Sequence, residues 1–390
     1  MTNILQKSND IKQLLQTWRK ALHQIPETGM HLPKTIAYIT KQLDTMQISY
    51  RILDHGAGIL AQIGMASSPC ILLRGDMDAL PIKEESGESF ASVNGNMHAC
   101  GHDLHATMLL GAAKLLKENE NEIHGCVKLL FQSGEEIMAG AKAAIQDHIL
   151  ENPHVDAGFA THVISNIPIG VIAYGEHAAS SSTLFEIHVQ GKGGHGSMPE
   201  LCIDPIQAAV MIYQGFQGLI ARECGVSEEV ILTFGQLSAG NSTNIIPDSA
   251  ILKGTLRTYD KEKREYIKQR MQEIIQGIAL TTRTTITLDI LNEMDDLHCD
   301  PALNDFFAHS IQELNSDFKI INQLHTAASE DFAAIAECIP SSYFAIGAAI
   351  DTPQNCYGQH HPKVRFHEDA LVIGCAAYTK AALDYIDKQS

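Results

Sequence analysis

The segment CILLR (70–74) is apolar at nearly every position and runs into the acidic stretch GDMD (75–78). Side chains of a strand alternate between two faces, so a strand apolar on both needs a covering layer on each side. That requirement excludes a one-sided antiparallel sheet and points to a three-layer α/β domain. The surrounding pattern agrees. Ile11, Leu14, Leu15, Trp18 and Leu22 recur at helical spacing before Pro26, and Ile36, Ile39, Leu43 and Met46 mark a second helix. Strands are expected over 48–53, 59–63, 126–132 and 155–163, and helices near 105–118 and 139–150. Such alternation gives a largely parallel or mixed sheet between helices.

The rhythm changes after residue 181. Strand-like stretches at 183–190, 230–237, 250–259 and 284–290 are interleaved with helical ones at 204–222 and 261–280. The order βαββαβ is that of a ferredoxin-like unit. Beyond 294 the chain returns to helix and strand, with a buried strand expected over 344–349 and a last helix from about 367. The organisation is therefore one α/β domain (1–181 and 295–390) interrupted by a smaller domain at 182–294.

Charge narrows the function. A net charge of −18 argues against a nucleic-acid or anionic-membrane partner, because phosphate contact needs a cationic face. No apolar run approaches the ~18 residues of a spanning helix, and the first twenty residues lack the apolar core of a signal peptide. Nine scattered cysteines, an odd number, suit reduced thiols in a cytoplasm.

The densest polar cluster, MHACGHDLHATM (97–108), carries His98, Cys100, His102, Asp103 and His105 ahead of an apolar helix expected from Ala106. Thiolate and imidazole are ligands for zinc and similar ions, although a surface loop that happens to be rich in histidine is the plainer alternative. Glu135 and Glu136 follow the strand-like VKLLFQ, and Asp76, Asp78 and His162 sit at comparable strand ends. Strand ends of one α/β sheet converge on one edge, where ligands bind. His360 and His361 lie in a late loop and taken alone are a surface pair. Gly191, Gly193 and Gly196 match the spacing of a dinucleotide fingerprint after a strand. Pro199 follows, however, and no helix starts before Asp204, so these glycines make a turn that displays His195.

Taken in order, HQIPE (23–27), RGDMDALP (74–81), MHACGHDLHATMLLGAA (97–113), FQSGEE (131–136), THV (161–163), GKGGHGSMPE (191–200), NIIPD (244–248), GTLRT (254–258) and HHPKVRF (360–366) cover nearly the whole chain. Together they resemble the metal-dependent amidohydrolase and carboxypeptidase family that includes hippurate hydrolase, aminoacylases and indoleacetyl-amino-acid hydrolases. The resemblance implies a catalytic domain with an inserted lid that dimerises, giving a homodimer or a dimer-based tetramer. It implies two divalent ions (zinc, manganese, cobalt or nickel) held by Cys100, His102, Glu136, His162 and His360, with Glu135 as general base. It selects His360 over His361, because the family's late ligand stands two residues before proline. His195 resembles an oxyanion-stabilising histidine that reaches the neighbouring subunit's site, and Asn244 and Arg257 resemble substrate-holding lid residues. For Arg257 the residue pattern alone favours a sheet-surface salt bridge.

Carboxypeptidase-type relatives carry His-x-Asp where this chain has Asp76-Met77-Asp78, and they lack the cysteine. That departure places the chain in the hippurate-hydrolase branch and leaves Asp78 to orient a ligand from behind. Ser133 and Gly134 stand where Pro-Ala is more usual. The implied reaction is hydrolysis of N-acyl-L-amino acids by a metal-activated water. Dipeptidase, carboxypeptidase and N-acetyl-diaminopimelate deacetylase activities are alternatives within the same fold. A thiol hydrolase using Cys100 belongs to a different class, as does a silent binding protein.

Overall fold

The computed structural model describes residues 4–64, 68–350 and 357–389. Contacts divide the chain into two units. One runs to Ala178 and resumes over His298–His325 and from Asp331; the other comprises Ala179–Leu297 and Thr326–Glu330. The short 326–330 segment has a simple reason to join the second unit. Ser180 N–H donates to the Thr326 and Ala328 carbonyls, and Arg257 Nη1 donates to that of Ala327.

The first unit is built on an eight-stranded mixed sheet. Strand Cys70–Asp76 is buried at every position. It lies between Cys126–Gln132 and Ala157–Ile164, parallel to both. Ala157–Ile164 pairs in turn with Ser341–Gly347, also in parallel. The hairpin Ser49–Ile52 and Gly58–Ile63 extends one side in antiparallel fashion. Two short strands that the apolar pattern does not mark, Val171–Tyr174 and Lys319–Asn322, extend the other.

Helices His102–Glu118 and Asp369–Gln389 pack on the sheet and on each other, and Lys12–His23 packs on both of them. The last is buried along most of its length, which its run of alanines permits. Short helices Gly140–Gln146 and Ala333–Ala336 pack together and against the strands. Among the described residues no helix is long and apolar enough to cross a membrane.

The parallel register has one consequence for chemistry. Asp76 is level with Gln132, so the segments leaving Cys70–Asp76 and Cys126–Gln132 emerge at the same sheet edge, with His162 near the end of its own strand. The helix expected from Ala106 instead begins at His102, because Gly101 turns the chain at φ 97°, a left-handed conformation open to glycine. The helix expected to reach 150 stops at Gln146, and His148 then adopts a positive φ.

The second unit has strands Ser182–Gln190, Val230–Ala239, Ser249–Thr258 and Thr285–Met294 in an antiparallel sheet. Helices Pro205–Glu223 and Lys261–Thr282 cross between them, which is the ferredoxin-like order. Its separate core gathers Phe185, Ile187, Phe216, Leu252 and Met271. Gly194–His195 pairs with Ile245–Ile246 in a two-stranded ribbon.

Candidate metal centre

Strand ends and the start of helix His102–Glu118 bring six predicted side chains together in the first unit. Cys100 Sγ lies 3.4 Å from His162 Nε2. His102 Nε2 lies 3.9 Å from carboxylate oxygens of both Glu135 and Glu136, and His360 Nε2 is 3.5 Å from Glu136. Their ligand atoms form overlapping sets within 4.8 Å, among them Cys100–His102–His162, Cys100–Glu136–His360 and His102–Glu135–Glu136. The thiol belongs to the first two.

Hydrogen bonds behind the imidazoles decide which nitrogen faces inward. His102 Nδ1 is 3.0 Å from the Asp78 carbonyl, and His162 Nδ1 is 2.7 Å from the Val163 carbonyl. A carbonyl only accepts, so both Nδ1 atoms carry hydrogen, which leaves the Nε2 of His162 to face the Cys100 thiol and the Nε2 of His102 to face the two glutamates. Asp78 does more from behind, as its carboxylate accepts from the Glu136 backbone N–H at 3.1 Å.

His102 Nε2 and Glu136 Oε1 are buried without hydrogen-bond partners. Such orphans are costly unless something else occupies their lone pairs. Cysteine, histidine and glutamate around them fit a pair of divalent ions.

The electrostatics invite positive charge. Burial opposes protonation of His102, yet nearby Asp76 and Asp78 hold its pKa well above normal. Burial and neighbouring His105 keep His162 well below normal, and burial lifts Glu136 to about 7. Burial also pushes the Cys100 thiol far up, which is the wrong direction for a free thiolate nucleophile.

The late loop meets the centre through His360, whose N–H donates to the Ala99 carbonyl. Its neighbour turns away: the His361 ring stacks on Tyr357 at 4.3 Å.

The rest of the polar cluster is scaffold. Val163 N–H donates to His105 Nε2 at 2.9 Å, so Nδ1 holds the hydrogen and donates to Asp76 at 2.5 Å. With both nitrogens used, His105 braces the His162 strand and is not available as a ligand. Asp103 pairs with Arg19 and His23. Arg74 binds Asp76 at 2.7 Å and Asp331 at 2.9 Å, all fully buried, while Gln132 joins Asp331 at 2.7 Å. Sequence reasoning missed Asp331; its only signal was an acid in an otherwise apolar helical stretch (331–336).

In the second unit His195 is exposed and accepts from Ser197 N–H at its Nδ1, 3.2 Å away. Its hydrogen therefore sits on Nε2, the outward donor. Asn244 lies beside it, with its main-chain carbonyl accepting from Gly196 N–H at 2.8 Å. Arg257 departs from the surface salt bridge that its residue pattern favours. Its guanidinium meets the neutral Ala327 carbonyl and Ser329 hydroxyl, and among the described residues no carboxylate pairs with it.

The model of peptidase family M20/M25/M40 matches residues 72–384. The chain belongs to that family. It is 32% identical over 388 residues to the IAA-amino acid hydrolase ILR1-like 4 of Arabidopsis thaliana, across 98% of this chain and 88% of that protein. The N-acetyl-L-cysteine deacetylase of Bacillus subtilis is 34% identical, across 93% and 85% respectively. Among solved structures, the Bacillus subtilis YXEP protein, described as a dinuclear metal-binding peptidase of the M20 family, superposes with a TM-score of 0.83. It is 30% identical and covers 97% of this chain and 99% of its own. As a member of the M20 family, this chain is an amide-bond hydrolase.

Proposed function

We propose that this chain hydrolyses N-acyl-L-amino acids in the cytoplasm, as a homodimer with two divalent ions per subunit. The observation that carries the reading is the pair of imidazoles, His102 buried and His162 half-buried, whose Nδ1 atoms face backbone carbonyls and whose Nε2 atoms turn to a cluster of one thiol and two carboxylates. Cys100, His102, Glu136, His162 and His360 would hold the ions. Bound there, divalent ions would supply Lewis acidity that acidifies water and polarises the scissile carbonyl.

The remaining steps belong to side chains. Glu135 takes a proton from the attacking water and returns it to the leaving nitrogen, so the amide and one water become an acid and an amine. His195 Nε2–H donates to the developing oxyanion. Arg257, which among the described residues has no carboxylate partner, receives the substrate's α-carboxylate in a planar fork, which lets an acidic protein bind an anion. Asn244 offers its side-chain amide to the same substrate. Exposed Ile206, Val210 and Tyr213 form one stripe on helix Pro205–Glu223, an apolar face suited to a second copy.

The test is a screen of N-acyl amino acids and dipeptides on metal-stripped protein, with each ion added back. Activity should vanish on stripping and return with metal. Glu135→Gln should keep its metal content while turnover falls by roughly 10²–10⁴-fold. Full activity after stripping, or near-normal turnover of that variant, would refute the mechanism.

A further inference from the structure

A second group of metal-type donors lies elsewhere in the first unit. Glu176, His177 and His298 bring their ligand atoms within 4.8 Å of one another, and the two imidazole rings meet at 4.8 Å and 67°. Three observations show how the fold assembles them. The chain bends at Glu176, which lets two adjacent side chains reach the same side rather than opposite faces of a strand. Cys299 N–H donates to the Glu176 carbonyl at 2.7 Å and holds the His298 segment alongside. His325 Nδ1, facing the His177 carbonyl at 3.0 Å, must donate to it and steadies that backbone.

We propose that Glu176, His177 and His298 form a third divalent-ion site, suited to Zn²⁺ and separate from the dinuclear centre. Two imidazoles and a carboxylate, with the remaining positions left to water, are a recurrent zinc donor set. Tetrahedral bonds of about 2.0–2.2 Å place ligand atoms roughly 3.3–3.6 Å apart, within reach of small rotamer changes. Glu176 and His298 are exposed, so the ion enters from solvent. The location gives it a structural consequence. Glu176 and His177 are among the last residues before the chain leaves the first unit, and His298 is the first on its return. An ion there ties the departing segment to the returning one.

The site contains no sulfur, which separates it from the Cys100 centre in an experiment. Full-length protein equilibrated with micromolar free Zn²⁺ should hold three ions per chain, and His298→Gln and His177→Gln two. Loaded with Co²⁺, the third equivalent should add visible absorption without the near-ultraviolet thiolate band that Cys100 supplies. Zn²⁺ beyond two equivalents should raise Tm in the wild type and in neither variant. Equal ion content in wild type and both variants would overturn the proposal. The dinuclear reading fails differently, through absence of the thiolate band while His298→Gln still removes one ion.

Discussion

His23 shows how a single residue can carry a pH dependence. Its Nδ1 lies 2.9 Å from Asp103 and its Nε2 3.0 Å from Glu84. Burial alone lowers its pKa, but the two carboxylates outweigh it and hold the ring at about 9. A folded pKa above the unfolded 6.5 contributes stability that is complete below about 6.5 and lost as pH rises through about 9. The shift corresponds to on the order of 3 kcal/mol. Urea midpoints of the metal-loaded protein should therefore fall between pH 6 and 9.5, and His23→Gln should flatten that slope. The same slope in both proteins would rule His23 out as its source. Residue identity in MHACGHDLHATM pointed to a metal-binding stretch but not to its division of labour. Cys100 and His102 face the centre, whereas Asp103 and His105 turn into the scaffold, because which way a side chain points depends on the helix starting at His102.

At the scale of elements, the loop carrying the proposed base is pinned by contact with the helix that follows it. A Cβ on Gly140 would stand 1.7 Å from the Ser133 carbonyl oxygen, an approach only glycine permits. Gly140→Ala must push the 133–136 segment or the helix aside, at a cost of about 1–3 kcal/mol. We expect a lower Tm together with a fall in kcat larger than the change in KM, since Glu135 and Glu136 move with that segment. Unchanged kcat alongside a lowered Tm would show that the loop adjusts without disturbing them. Most elements were legible, because strands such as Cys126–Gln132 are continuous apolar runs between turn signals. The short edge strands Val171–Tyr174 and Lys319–Asn322 were not. Four residues give too little periodicity, and pairing to a neighbour decides them.

For the whole molecule, exposed large apolar side chains crowd the second unit. Among the described residues the first unit exposes only Ile52, Val93 and Ile137 of this kind. This distribution suits association through the inserted unit, and the proposed dimer makes a sharp prediction if His195 acts on the partner's substrate. Inactive His195→Ala and Glu135→Gln chains, mixed and allowed to exchange, should recover activity towards about a quarter of wild type, the share of intact sites expected when half the chains carry each lesion. Heterodimers that form yet stay inactive would place His195 outside a shared site.

By itself the sequence determined the fold class, the inserted ferredoxin-like unit and the residue types at the strand ends, since periodicity, strand-end acids and cysteine–histidine spacing are local. Tertiary structure decided what no local pattern encodes. It set which nitrogen of His102 and His162 faces the donor cluster, brought His360 rather than His361 to Glu136, and paired Arg74 with Asp331 across 257 positions. Hydrogen-bond direction and burial depend on neighbours that only the folded chain supplies.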